Sequence, residues 1–249
     1  MSYAMFVVRT ARVRVRGMGM AARRAGIAAL VVACALGGAS TSMAADGPAA
    51  ARKEFLEAAK LTPNEGNGAK LFETCAACHG PAGRGTADGS IPAIAGQHGS
   101  VLLKQLVDFR HEQRWNERME HFTDLHHLPT AQDLTDVAAY AARLPRFPSM
   151  VAIGDGAFLR EGASVYFRKC EACHGPLGQG DVLRLRPRLA GQHYEYLLSQ
   201  LAQTAQGYRP GMDPAHVARL RDLTPEQIRG VADYLSRVSP DLSAQGRGR

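Results

Sequence analysis

The chain reads as all-α, two tandem copies of one small helical unit. Three observations predict this. A shift of 95 residues lays Cys75, Cys78 and His79 on Cys170, Cys173 and His174, Gly80-Pro81 on Gly175-Pro176, and Ala95-Gly96-Gln97-His98 on Ala190-Gly191-Gln192-His193. Apolar residues recur at helical spacing in both copies. No stretch alternates convincingly with strand period. So many identities in register mark a duplication, and a repeat fixes the architecture before any finer reading.

Each unit holds the same parts in the same order. Ahead of the first Cys-x-x-Cys-His string, Thr62-Pro63-Asn64-Glu65 offers a cap, a proline at the first helical position and an acid at the third. Leu102, Leu103, Leu106 and Phe109 lay out one apolar helix face, and Leu197, Leu198, Leu201 and Ala205 its counterpart. A shift of 94 then aligns Thr130 with Thr224, Val137-Ala138 with Val231-Ala232, and Tyr140 with Tyr234. The closing helices are capped by Thr130 with Asp133 and by Thr224-Pro225-Glu226-Gln227. Their stripes are Leu134, Val137, Ala138, Ala141 and Ile228, Val231, Ala232, Leu235. Leu144-Pro145-Arg146-Phe147-Pro148-Ser149 reads as a proline-stiffened linker, so the two units are expected at 46–147 and 148–249. The Gly/Arg tail after Ser243 is expected to be disordered.

The net charge of +7 on 249 residues suggests a nucleic-acid partner until the charge is located. Residues 1–45 carry Arg9, Arg12, Arg14, Arg16, Arg23 and Arg24 and no acid, so the body of the chain is left with 7 − 6 = +1. That balance excludes a basic nucleic-acid binder. Arg23-Arg24, the apolar run Ala25–Leu36 and the small residues Ala39 to Ala45 form the three regions of a secretory signal, with cleavage after Ala44 or Ala45 and translation starting at Met18 or Met20. The apolar run is shorter than the ~20 residues of a membrane span. Val31-Val32-Ala33-Cys34 is a loose lipoprotein match, weakened by the apolar and small residues that continue past it, and Arg23-Arg24 alone is a weak twin-arginine signal. The expected destination is the bacterial periplasm, with the mature protein soluble or loosely held at the membrane.

Of five cysteines, Cys34 goes with the signal and the other four fill Cys75-Ala76-Ala77-Cys78-His79 and Cys170-Glu171-Ala172-Cys173-His174. In this string the two thiols add across the vinyl groups of haem and the adjacent imidazole reaches the iron. Two covalently bound haem c groups are therefore expected, on Cys75, Cys78 and His79 and on Cys170, Cys173 and His174. A zinc site is opposed by the 91 residues between Cys78 and Cys170, and a thioredoxin-type dithiol by the lack of a βαβ pattern. A unit of about 95 residues gains less from burial than a large domain, and an apolar macrocycle at its centre would serve as core.

An electron-shuttling haem usually has its second axial position filled, and methionine there raises the potential. Met212, in Tyr208-Arg209-Pro210-Gly211-Met212-Asp213-Pro214, is the only methionine after Met150. The comparable segment of the first unit, Trp115-Asn116-Glu117-Arg118-Met119-Glu120-His121, offers Met119 on a loop. His121, His126 and His127 crowd the same stretch and are read as surface or capping residues, with ligation by one of them as the alternative to Met119; the second unit has only His216 nearby. Pro92 and Pro187 are placed to offer backbone carbonyls to Nδ1 of His79 and His174, a bond that fixes ring orientation. His98 and His193 leave two readings open, contact with haem propionates or positions at the surface.

The order Cys-x-x-Cys-His-Gly-Pro, glycine-rich loop, Pro187-Arg188-Leu189-Ala190-Gly191-Gln192, methionine loop and capped helix resembles the two-haem cytochrome c-four family over nearly all of residues 65–238. The resemblance implies two class I cytochrome c folds packed together, His/Met ligation, and electron delivery among respiratory redox proteins toward a terminal oxidase. The first unit departs in Ile91-Pro92-Ala93-Ile94 and in its histidine-rich Met119 loop. The leading function is thus a passive electron carrier, not an enzyme and without nucleic-acid partners. The competing reading is an electron-transfer subunit or catalytic cytochrome of a periplasmic dehydrogenase, such as a thiosulfate-oxidising enzyme. Differences beside the strings, Glu171 against Ala76 and Arg84 against Gln179, predict unequal haem potentials.

Overall fold

The computed structural model describes residues 47–146 and 151–239. The expected signal, part of the linker and the Gly/Arg tail lie outside them. Ten helices occur among the described residues. The first half holds α1 (Gly47–Ala58), α2 (Glu65–His79), α3 (Gly99–Arg110), α4 (Glu117–Thr123) and α5 (Ala131–Arg143). The second holds α6 (Leu159–Lys169), α7 (Glu171–His174), α8 (Tyr194–Gln206), α9 (Pro214–Arg221) and α10 (Pro225–Arg237). The only β pairing among the described residues is an isolated antiparallel bridge between Asp181 and Arg186. No helix among them is long and apolar enough to cross a membrane.

Capping explains where the helices begin. Thr130 and Thr224 each close a reciprocal capping box, with Asp133 and Gln227, and Pro225 takes the first helical position of α10. The start of α2 differs from the sequence expectation by two residues. Asn64, not Thr62, is the cap: its side chain accepts from Asn67 N–H, while its own N–H donates to Asp136 Oδ1 at 2.8 Å. A cap that is itself anchored to α5 wins over one that faces water.

In each half the helix ahead of the Cys-x-x-Cys-His string crosses the closing helix at a glycine. A Cβ on Gly68 would sit 2.3 Å from the Asp136 carbonyl oxygen, and one on Gly162 only 1.9 Å from the Gly230 carbonyl carbon. Backbone therefore meets backbone, an approach that needs a residue without a side chain. Beside each crossing an aromatic pair fills the angle, Phe72 with Tyr140 at 5.2 Å and Tyr166 with Tyr234 at 5.3 Å between ring centres. Leu103, Val107, Leu134 and Val137 complete the first core; Val165, Leu197, Val231 and Leu235 complete the second. Helix α1, which the sequence reading did not single out, adds Ala51 and Ala58 to the first core. Among the described residues the second half opens without such a helix, its chain held by Asp233, whose carboxylate accepts from Gly154 N at 3.1 Å and Gly156 N at 2.8 Å.

The halves meet along a seam with approximate two-fold symmetry. Gln97 donates to the Arg188 carbonyl at 2.8 Å and accepts from Arg188 N at 2.9 Å. Gln192, its partner in the repeat, does the same to Ala93, at 2.7 and 3.0 Å. Nε2 of His98 lies 2.9 Å from the Gln179 carbonyl, and Nε2 of His193 lies 2.7 Å from that of Arg84. The Gln-His pair of each repeat is thus a clasp for the other half, a role outside both readings that the sequence offered for these histidines. His193 is 1 % exposed.

Candidate functional site: two haem pockets on one cavity

The first Cys-x-x-Cys-His string is the last turn of α2, continuous with its helix. The second breaks from α6 at Cys170 and forms the one-turn α7. Both strings end on a glycine at positive φ, Gly80 at 76° and Gly175 at 79°, which turns the chain away so that the preceding histidine faces inward. His79 and His174 are buried, each 7 % exposed. Nδ1 of His79 is 3.0 Å from the Pro92 carbonyl, and Nδ1 of His174 is 3.2 Å from that of Pro187, the contacts expected from the two prolines. A carbonyl only accepts, so the ring proton sits on Nδ1 and the Nε2 lone pair stays free for a metal. Burial lowers the proton affinity of both rings, that of His174 to about 4, which keeps the ligand form neutral.

The cysteines are unpaired with one another, and burial pushes the thiols of Cys75 and Cys170 up to about 11. Reactive dithiols have the opposite bias, toward thiolate. A redox-active thiol pair does not fit; a thiol consumed in a covalent bond does.

Both strings line one continuous cavity of about 670 Å³ that runs through the two halves. Its walls include His79 with Met119 in the first half, and His174 with Met212 and His216 in the second. Met119 lies on helix α4, three residues past its cap Asn116, instead of on the expected loop. Met212 occupies the turn before α9, its N–H bonded to the Arg209 carbonyl at 3.0 Å. His121, His126 and His127 are not among the walls. They gather around Asp124, whose Oδ1 lies 2.9 Å from Nδ1 of His127 and accepts from the backbone N–H groups of His126 and His127.

Where the cavity crosses the seam, Arg114 and Arg209 stand together, also matched by the repeat. Arg114 donates to Gln105 at 2.6 Å, to Gln200 at 2.7 Å and to the Tyr196 hydroxyl; Arg209 donates to Gln105 at 2.8 Å. Burial, then the neighbouring Arg114, lowers the Arg209 guanidinium to about 9. Buried Arg114 and half-buried Arg209 bond to neutral partners, and the nearby Asp108 is already paired with Lys104, so the wall keeps positive charge, which suits the anionic propionates of haem. Apolar walls, free imidazole nitrogens, paired cysteines and this charge together fit two haems. The sequence reading missed both arginines, although the 95-residue shift that aligns Gln97 with Gln192 also aligns Arg114 with Arg209 and Gln105 with Gln200.

The cytochrome c family model matches the chain twice, over residues 66–144 and 159–239. A cytochrome c4 of Thiocapsa roseopersicina is 35% identical over 184 residues, 69% of this chain and 90% of that one. A thiosulfate dehydrogenase electron acceptor of Stutzerimonas stutzeri (strain A1501) is 35% identical over 189 residues, covering 69% and 82%. Among solved structures, reduced recombinant cytochrome c4 from Pseudomonas stutzeri aligns with a TM-score of 0.63 at 28% identity, over 72% of this chain and all of that one. With two haem c strings, two family matches and relatives that span both halves, the chain belongs to the cytochrome c family and, within it, to the two-haem cytochromes c4, which are electron carriers.

Proposed function

We propose that residues 1–45 direct the chain to the periplasm and that the mature protein, with domains at 46–147 and 148–249, passes electrons from respiratory donors to a terminal oxidase. Cys75 and Cys78 would hold the first haem by thioether bonds and Cys170 and Cys173 the second, and His79 and His174 would bind the irons. Met119 would complete the first site and Met212, on a cavity wall shared with His216, is the methionine the sequence offers for the second. When bound, each haem supplies a one-electron couple. The residues around it do the rest. The Pro92 and Pro187 carbonyls fix the two imidazoles, Arg114 and Arg209 balance the propionate charge, and the glutamine and histidine clasps hold the two sites at a fixed separation.

The observation that carries this reading is the pair of buried histidines, each with Nδ1 on a proline carbonyl and each facing the cavity that Met119 and Met212 also line. Replacing Cys75 and Cys78 by alanine should leave one covalent haem after acid–acetone extraction; retention of two would contradict it. The likeness to a thiosulfate dehydrogenase electron acceptor favours a second reading of the donor. In that case a thiosulfate dehydrogenase supplied with thiosulfate reduces the protein directly, and a quinol-oxidising complex does not.

A further inference from the structure

We infer that His216, not Met212, is the sixth ligand of the second haem, so that the chain carries one His/Met site and one His/His site. The inference rests on the reading of His174 as the ligand on the opposite side of that iron.

Helix register is the first argument. Helices α4 and α9 are capped by Asn116 and Asp213, and each cap side chain accepts from the first turn of its own helix. Counting from the caps, Met119 and His216 both stand at the third helical position. They occupy one place in two copies of the same wall. Met212 stands one residue ahead of the cap, outside the helix, where the first half has Trp115.

The second argument is distance. His174 and His216 line the same cavity with ring centres 6.2 Å apart and ring planes tilted by 56°. An imidazole nitrogen binds a metal at about 2.0–2.1 Å, and the ring centre lies roughly 1 Å beyond it. Two imidazoles on either side of one iron therefore place their ring centres about 6–6.5 Å apart. The observed separation falls within that range.

The third is an unsatisfied atom. Nδ1 of His216 is buried and has no hydrogen-bond partner among the described residues, whereas Nδ1 of His79 and Nδ1 of His174 each meet a proline carbonyl. A buried, unpartnered polar atom on a cavity wall points to something the cavity holds. None of the three histidines near Met119 has this character; they sit outside the walls around Asp124.

An imidazole in place of a thioether lowers the potential of an otherwise similar haem. Electrons entering the molecule would settle first on the first-half site, and the second-half site would be the stronger reductant of the two.

The test uses the untagged, two-haem protein in its oxidised state. The near-infrared band that reports methionine–iron bonding should keep its full intensity in Met212→Leu, and His216→Met should add a second methionine's worth of intensity. His216→Ala should either expose half of the haem to carbon monoxide or gain methionine intensity as Met212 moves in. Loss of intensity in Met212→Leu, or a His216→Ala spectrum identical to that of the wild type, would overturn the inference. A pyridine haemochrome count on the same samples separates the two levels: two haems with a lost band rejects His216 alone, whereas fewer than two haems in the wild type rejects the underlying assignment as well.

Discussion

At the scale of single residues, the chemistry is decided by side chains whose neighbours in sequence already define them. Cys-x-x-Cys-His is legible because all its parts lie within one helical turn, and the Pro92 and Pro187 contacts because each proline follows its histidine by the same 13 residues. The clasp residues were less legible: Gln97 and His98 bond to partners 91 and 81 residues away, and no local pattern announces such a contact. Two predictions belong here. Met119→Ala should open the first haem to carbon monoxide, with about half of the total haem responding, and should lower the potential of that site, since the thioether it removes favours the reduced iron; a carbon monoxide difference spectrum with redox titration checks both effects. Gln192→Ala strands the Ala93 N–H and carbonyl at the seam, so denaturant unfolding should find a loss of about 1–3 kcal/mol per group left unpaired.

At the scale of elements, the closing helices α5 and α10 are the best-read parts of the sequence, because a capping box and an apolar stripe agree on both start and face. Helix α1 was missed because its sequence, GPAAARKEFLEA, buries only two alanines and presents no strong stripe. The glycine crossings were hidden for a different reason. A glycine declares its role only through what it touches, and Gly162 touches Gly230 from 68 residues away. Gly162→Ala places its methyl carbon inside the Gly230 backbone, so α6 and α10 must separate. Overpacking of this kind costs about 1–3 kcal/mol or more, and it should appear as a lowered melting temperature together with incomplete haem loading of the second half. An unchanged melting temperature would mean that the crossing is not as tight as the backbone places it.

At the scale of the whole molecule, duplication explains both the likeness of the halves and the use made of their differences. The repeat gives two sites facing one cavity and a seam in which Gln97 and Gln192, His98 and His193, and Arg114 and Arg209 exchange roles. The departures include Met119 against His216 at the third position of matching helices, and Ala76 against Glu171 inside the strings; under the proposed ligation both would set the haem potentials apart. Identical sites would make a store for two electrons; unlike sites make a path with a direction. The account therefore turns on whether the two haems differ. Spectroelectrochemical titration of the purified protein, following the haem absorbance, tests this most directly: it should resolve two one-electron waves of equal amplitude at separate potentials, and a single unsplit wave, or an amplitude corresponding to one haem, would contradict it.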